Sequence, residues 1–180
     1  QAPPKEWIDF HRRVWAEKPV LRAVYQRWFD LLRARVSGRV VEIGCGPGFF
    51  KAAHREVIAT DVTDNPYADC ILDAAALPFA TGSLGSIVMI DVFHHLPEPE
   101  RFLRDAERVL RPGGRIVLVE PWIGLAGRLF WTYLHHEDCD PGVAPEAPWG
   151  GPDKDPMQGN AALPYLYFRA GGHAERLGLA

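Results

Sequence analysis

Five short apolar runs punctuate the middle of the chain, and most of them do not alternate. RVVEIG (39–44), EVIATD (56–61), DCILD (69–73), SIVMID (86–91) and RIVLVE (115–120) are five or six residues each. A strand with one face in water alternates apolar and polar side chains, whereas a strand covered on both faces reads as near-continuous apolar sequence. Such runs separated by crossovers predict a mostly parallel sheet with helices on both faces, an α/β doubly wound fold. The last two runs bracket a helix over 99–110, with Phe102, Leu103, Ala106, Val109 and Leu110 on one face, and Pro112-Gly113-Gly114 turns the chain into the fifth run. Upstream, 5–36 reads as helix from the spacing of Trp7, Phe10, Val14, Val20, Leu21, Val24, Trp28, Leu31 and Leu32. Pro19 splits it or opens a second helix, and Ser37-Gly38 ends it.

After Pro121 the pattern weakens. Residues 124–135 read as a helix, 136–160 as a long loop or lid rich in Pro, Gly and Asp, LPYLYF (163–168) as strand or helix, and 173–179 as one more helix. The expected organisation is one domain over 1–180, with cap helices in 1–36, a core in 37–121 and a lid in 122–180. At 180 residues the chain is too short for a full (β/α)8 barrel or a two-domain dehydrogenase.

The first run enters V-V-E-I-G-C-G-P-G (40–48), a strand followed by glycines where a helix begins. Glycines allow positive φ and close approach of a ligand to the backbone. Taken alone the motif also reads as a tight strand-to-helix turn. It does not stand alone, because the next three runs end in Asp61, Asp73 and Asp91. Asp61 is placed to accept hydrogen bonds from both hydroxyls of a ribose. Asp73 can accept from an adenine amino group while the Ala74 N–H meets a ring nitrogen. A dinucleotide loop has the spacing G-x-G-x-x-G, but here it is G-x-G-x-G, and Glu42 would repel a pyrophosphate. A carboxylate there suits an ammonium and a sulfonium, which leads to S-adenosylmethionine and argues against an NAD-dependent oxidoreductase.

VVEIGCGPG, ATD, DAAALPF and SLGSIVMIDVFHHLPEPERFLRDAERVLRPGGRIVLVEPW together resemble the class I S-adenosylmethionine-dependent methyltransferases, in the methyltransferase type 11 group, over about residues 39–121. The resemblance implies a Rossmann-like sheet and S-adenosylmethionine as cofactor, with S-adenosylhomocysteine as product. It implies that Glu42, Gly44, Cys45, Gly46 and Gly48 form the loop under the methionine moiety. Asp61 would hold the ribose, Val62 would pack on the adenine, and Asp73 and Ala74 would read its edge. Asp91 and Val92 would lie beside the methionine end, and helix 5–17 would cap the cofactor. His11, Arg12 and Arg13 are candidates for the methionine carboxylate, against a plain solvated helix face. Two departures stand out. Twelve positions from Asp61 to Asp73 leave no room for a crossover helix, so an irregular loop is expected. The family's strands six and seven are missing or irregular here. LPYLYF is a candidate for one of them, and HAERLGLA resembles the helix before strand six. Strand five would then be an edge, covered by 122–170, by a partner chain or by residues beyond 180.

The implied reaction is in-line methyl transfer to a small-molecule, lipid or sugar acceptor. The alternative is a non-catalytic cofactor-binding module or a fragment of a larger protein. His94 and His95, just past the fourth run, are candidate general bases; otherwise one caps the following helix and the other faces solvent. H-H-E-D-C-D (135–140) holds metal-type side chains, but adjacent residues rarely converge on one ion, so no metal is expected. Trp122, Trp131, Tyr133, Trp149, Tyr165 and Tyr167 fit a substrate pocket or the core equally well.

A net charge of −3 argues against nucleic acid as partner, and no apolar run reaches membrane-spanning length. Three cysteines without a C-x-x-C pair suggest a reducing, cytoplasmic location. Arginine in place of nearly all lysine, with abundant Ala, Gly and Pro, suggests a GC-rich bacterial genome. A homodimer through the strand-five edge would be one way to cover it.

Overall fold

The computed structural model describes residues 5–124, 127, 130, 131, 138–144, 148, 149 and 154–169. Its strands are β1 (Val40–Ile43), β2 (Ile58–Asp61), β3 (Cys70–Ile71), β4 (Leu84–Ile90) and β5 (Leu110–Val119). They form one sheet in the order β3-β2-β1-β4-β5, and every neighbouring pair is parallel. The chain winds outward from β1 in both directions, so β1 and β4 flank the point where the order reverses. Ligands of open α/β sheets bind outside the strands' carboxyl ends at that point.

The helices are α1 (Lys5–Glu17), α2 (Pro19–Arg33), α3 (Phe49–Ala53), α4 (Pro99–Val109) and α5 (Leu163–Phe168). Pro19 opens α2, where its missing N–H has no intrahelical partner to lose. Successive strand side chains point to opposite faces. Val41, Ile43, Ile87 and Met89 therefore join α4 and α5 in one apolar layer, through Phe102, Leu103, Leu163 and Tyr167. Val40 and Val88 join Phe29, Leu32 and Phe50 of α2 and α3 in the other. This two-sided burial is what the continuous apolar runs encode. No helix among the described residues is long and apolar enough to cross a membrane.

Several expected boundaries shift. Only Cys70 and Ile71 of DCILD pair with β2, and Ile71 is 62% exposed, as suits an outer strand. Asp73 leaves the ladder and accepts the Ala75 N–H in a local turn. β5 starts at Leu110, not Arg115, because Leu110 pairs with Leu84 ahead of a register shift. The preceding helix accordingly stops at Val109. LPYLYF is helical, with Pro164 in the first turn and Leu163 and Tyr167 buried one turn apart. It covers a sheet face without adding a strand. As expected, the β2–β3 connection at 62–69 contains no helix. The expected helix at 173–179 lies outside the described residues, as does most of 124–135.

Candidate active site

β1 delivers the chain into a loop that only glycine can trace. Gly44, Gly46 and Gly48 have φ of 68°, 48° and 73°. A Cβ on Gly44 would sit 2.6 Å from the Val92 side chain, and one on Gly48 would sit 2.7 Å from Tyr67. The two outer glycines are thus required by close neighbours as well as by conformation. Between them, Cys45 is buried, and that burial pushes its thiol well above its ordinary pKa, leaving it protonated and inert.

Glu42 lies beneath the loop at 3% exposure, and its Oε2 has no hydrogen-bond partner. Burial pushes its carboxyl up to about 8. The Lys51 charge acts on it, but that ammonium is already engaged by the Val57 carbonyl and by Asp69 at 2.8 Å. A buried carboxyl oxygen without a partner is costly and suits a ligand that carries a positive donor. An amino-acid ammonium fits it.

Asp61, at the end of β2, is buried and faces the loop. Its Oδ2 accepts from the Gly46 N–H at 3.1 Å and the Asn65 amide at 2.9 Å. Its Oδ1 accepts from the Thr63 hydroxyl at 3.1 Å and the Thr63 N–H at 3.3 Å. Both oxygens are therefore already in use, and a ribose would have to displace the Thr63 bonds. Val62, beside it, is 48% exposed. Asp73 is exposed and bound into its own turn, with Ala74 buried behind it.

Past β4 the backbone is bent sharply. Asp91 is the one non-glycine with positive φ among the described residues, at 54°. The Tyr25 hydroxyl of α2 donates to its carboxylate at 3.5 Å, and burial together with the Asp91 charge pushes Tyr25 up to about 12. This bend turns the next two N–H groups, of Val92 and Phe93, onto Oε1 of Glu120 at 2.8 and 2.6 Å. The other oxygen, Oε2, lies 2.6 Å from Nδ1 of His94, in a pair whose side chains are 2% and 5% exposed. An ionised carboxylate only accepts, so the bond to Glu120 holds a proton on Nδ1. His95 is half-buried, with its ring 4.1 Å from that of His94. At 2% exposure His94 is not a solvent-facing side chain.

A strap from the C-terminal third closes over this bend by binding four consecutive carbonyls. Asn160 N–H donates to His94 O at 2.9 Å, and Lys154 Nζ to His95 O at 2.8 Å. Trp149 donates its indole N–H to Leu96 O at 2.6 Å and its backbone N–H to Pro97 O at 3.1 Å. Asn160 also exchanges side-chain hydrogen bonds with the Asp140 backbone. Beside Glu120 a recess is lined by Ile116, Leu118, Trp122, Pro164 and Phe168. Of the aromatic candidates, Trp122 lines this recess, Tyr165 meets Trp122 edge-on, Trp149 is a strap anchor, and Tyr167 is core. Tyr133 lies outside the described residues, as do His135, His136 and Glu137. The described residues contain no metal-type cluster.

Opposite the strap, α1 lies on the glycine loop. A Cβ on Gly46 would meet the Trp7 ring at 3.9 Å, and Trp15 stacks on Phe49 at 4.0 Å. Arg12 donates to Pro47 O at 2.7 Å and stacks over Tyr67 at 4.1 Å. His11 bonds within its own helix, and Arg13 is exposed. Of the three candidates only Arg12 thus contacts the loop. Sequence reasoning missed Glu120, Asn65 and Tyr25. Glu120 carried a usable signal, because the fifth apolar run also ends in a carboxylate.

Residues 41–118 match the methyltransferase domain family. A 27-O-demethylrifamycin SV methyltransferase of Amycolatopsis mediterranei is 29% identical over 136 residues, covering 61% of this chain and 50% of that protein. A tRNA (carboxymethyluridine(34)-5-O)-methyltransferase of Macaca fascicularis is 32% identical over 103 residues, 49% of this chain and 16% of that protein. The chain thus spans half or less of the length of these curated relatives. An S-adenosylmethionine-dependent methyltransferase structure from Thermotoga maritima superposes with a TM-score of 0.59 at 21% identity, covering 71% of this chain and 65% of that one, and shares the fold.

Proposed function

Because the chain belongs to the class I S-adenosylmethionine-dependent methyltransferases, we propose that it methylates a hydroxyl group of a small-molecule acceptor and that His94 is its general base. The observation that carries the choice of a hydroxyl is the buried His94–Glu120 pair, 2.6 Å apart at the carboxyl ends of β4 and β5. An acceptor that is already nucleophilic, such as a neutral amine, needs no base, whereas a hydroxyl must lose its proton as it attacks.

The sheet order gives the rest of the reading. Strands lie about 4.8 Å apart, so the order β3-β2-β1-β4-β5 sets Asp73, Asp61, the glycine loop, Asp91 and Glu120 in a row. In this reading Asp73 and Ala74 take the adenine edge, with Val62 against its face. Asp61 takes the ribose. Glu42 takes the ammonium through its unpaired oxygen, and the 44–48 loop, with Cys45 at its centre, supports the methionine chain. Asp91 and Val92 border the methyl, and the recess beside Glu120 receives the acceptor. S-adenosylmethionine, when bound, supplies an electrophilic methyl group. Glu120 holds the His94 ring in place through Nδ1, and the imidazole takes up the acceptor's proton. The strap and α1 exclude water and fix the alignment, which is where an already activated donor leaves the protein most to contribute.

The test is release of S-adenosylhomocysteine from S-adenosylmethionine across a panel of phenols, alcohols and amines, with tRNA as a separate arm. Turnover with hydroxyl acceptors that falls about 100-fold in His94→Ala, with S-adenosylhomocysteine affinity retained, is expected. Unchanged turnover in that variant removes the base role. Turnover with tRNA alone removes the small-molecule acceptor.

A further inference from the structure

The β2–β3 connection is too short for a helix, and it supplies instead a residue that aims Asp61. We infer that Asn65 is a positioning residue that commits one oxygen of Asp61 to the glycine loop and leaves the other for the cofactor's ribose. The inference rests on the cofactor reading above and adds to it a residue outside the family's glycine and acidic motifs.

Asn65 is 5% exposed, and its side-chain groups are all used. Its Oδ1 accepts from the Tyr67 N–H at 2.9 Å, which fixes the amide's orientation. Its Nδ2 donates to Gly46 O at 2.8 Å and to Asp61 Oδ2 at 2.9 Å. The same oxygen of Asp61 takes the Gly46 N–H. One amide thus ties the middle of the glycine loop to the end of β2 through two bonds, one of them to an acidic group.

The two oxygens of Asp61 are held unequally. Oδ2 is fixed by an amide and a backbone N–H from a different strand connection. Oδ1 has only Thr63, two positions away, through bonds of 3.1 and 3.3 Å. A threonine hydroxyl rotates, so it can surrender Oδ1 to a ribose hydroxyl and then donate to or accept from that ligand. The terminal torsion of an aspartate is broad. Without the Asn65 donor, Oδ2 keeps only the longer bond from the Gly46 N–H at 3.1 Å, and the carboxylate's acceptor direction toward a ribose is less firmly set. The loop at 62–69 thereby provides a side-chain tether in place of a packed crossover helix.

The test compares S-adenosylhomocysteine with its 2′,3′-dideoxyribose analogue by calorimetry, on the wild type, Asn65→Ser and Asn65→Asp. Serine can still serve the local turn but is too short to reach Asp61. Aspartate keeps the size and the bond from Tyr67 but loses both donations. The wild type is expected to prefer the natural ligand by about tenfold or more, the value of hydrogen bonds to a charged group. Both variants are expected to lose affinity for the natural ligand and to shrink that preference to about threefold or less. A merely structural role for Asn65 would weaken both ligands equally and keep the ratio. A wild-type preference that survives in whichever variant folds overturns the inference and leaves Asp61 as the ribose ligand. A wild type that does not discriminate removes the ribose role of Asp61, and the inference with it.

Discussion

On the β1–β2 side of the sheet's carboxyl edge, side chains reach into a backbone loop. Glu42, Asp61, Asn65 and Arg12 each meet the 44–48 loop or lie beneath it, and their identities decide what can bind there. On the β4–β5 side the direction is reversed. Glu120 gathers two backbone N–H groups, and the strap takes the carbonyls of residues 94–97. Backbone carbonyls are the same whatever residue carries them. The first side is therefore written in side chains at fixed spacing, and the second mostly in the path of the chain. The first should be intolerant of substitution and specific for one cofactor. The second should be free to vary with the acceptor.

The sharpest test of that contrast is Glu42→Gln, which removes a buried carboxyl whose Oε2 lacks a partner. Affinity for S-adenosylhomocysteine should fall about 100-fold, as expected when a charged hydrogen bond is lost in a buried site. Stability should move the opposite way. The folded carboxyl, pushed up to about 8 by burial, holds its proton well above its unfolded value of 4.5. The folded state thus binds the extra proton between those values, and the wild type loses stability as pH rises from about 4.5 to about 8. The glutamine variant should lack that decline and melt several degrees above the wild type at pH 8 without cofactor. Binding has the reverse sign: the ammonium needs the ionised form, so wild-type affinity should climb toward pH 8 and the variant's should not. Equal affinity in the two proteins would mean that Glu42 is no ammonium ligand and that the first side is not specified as described.

A smaller effect is expected at Arg12, which holds α1 against the loop without lying beneath it. Arg12→Ala removes one hydrogen bond and a stacked cation. The expected result is about a tenfold loss of cofactor affinity, carried by faster dissociation, with kcat at saturating cofactor within about twofold of the wild type. Stopped-flow release of S-adenosylhomocysteine reads it directly. An equal loss in kcat would show that α1 also orders the acceptor side and would blur the division.

The same division explains what the sequence made legible. The parallel sheet was readable because Val40, Val41, Ile87 and Val88 must all be apolar to be covered on both faces. The glycine loop was readable because a Cβ at Gly44 or Gly48 has nowhere to go. Asn65 was not, because an Asn in T-D-N-P-Y looks like ordinary turn chemistry until the fold brings Gly46 beside it. The strap was unreadable for a different reason. Its partners are carbonyls 52 to 66 positions away along the chain, and no residue type marks a carbonyl for capture. The helix at LPYLYF was ambiguous because six apolar residues suit either period, and the packing of Tyr167 on Phe93 decided it.

The smallest expected effect belongs to the strap. Trp149→Phe keeps the ring that carries Lys154 at 4.5 Å but removes the indole N–H, and so the bond to Leu96 O. Its backbone N–H still reaches Pro97 O, so the strap keeps its path. One neutral hydrogen bond contributes about 1 kcal/mol, about a fivefold change in an equilibrium. That change should fall on the acceptor, since Leu96 follows the two histidines directly and none of the described strap residues bonds the glycine loop. KM for a hydroxyl acceptor should rise about threefold to fivefold, while calorimetric affinity for S-adenosylhomocysteine stays within about 1.5-fold. If both shift together, the two sides share one conformational equilibrium, and side-chain specification on the first side cannot be separated from chain path on the second. If only KM moves, the strap can be rebuilt for a new acceptor without touching the cofactor, because the carbonyls it binds remain in place under almost any sequence.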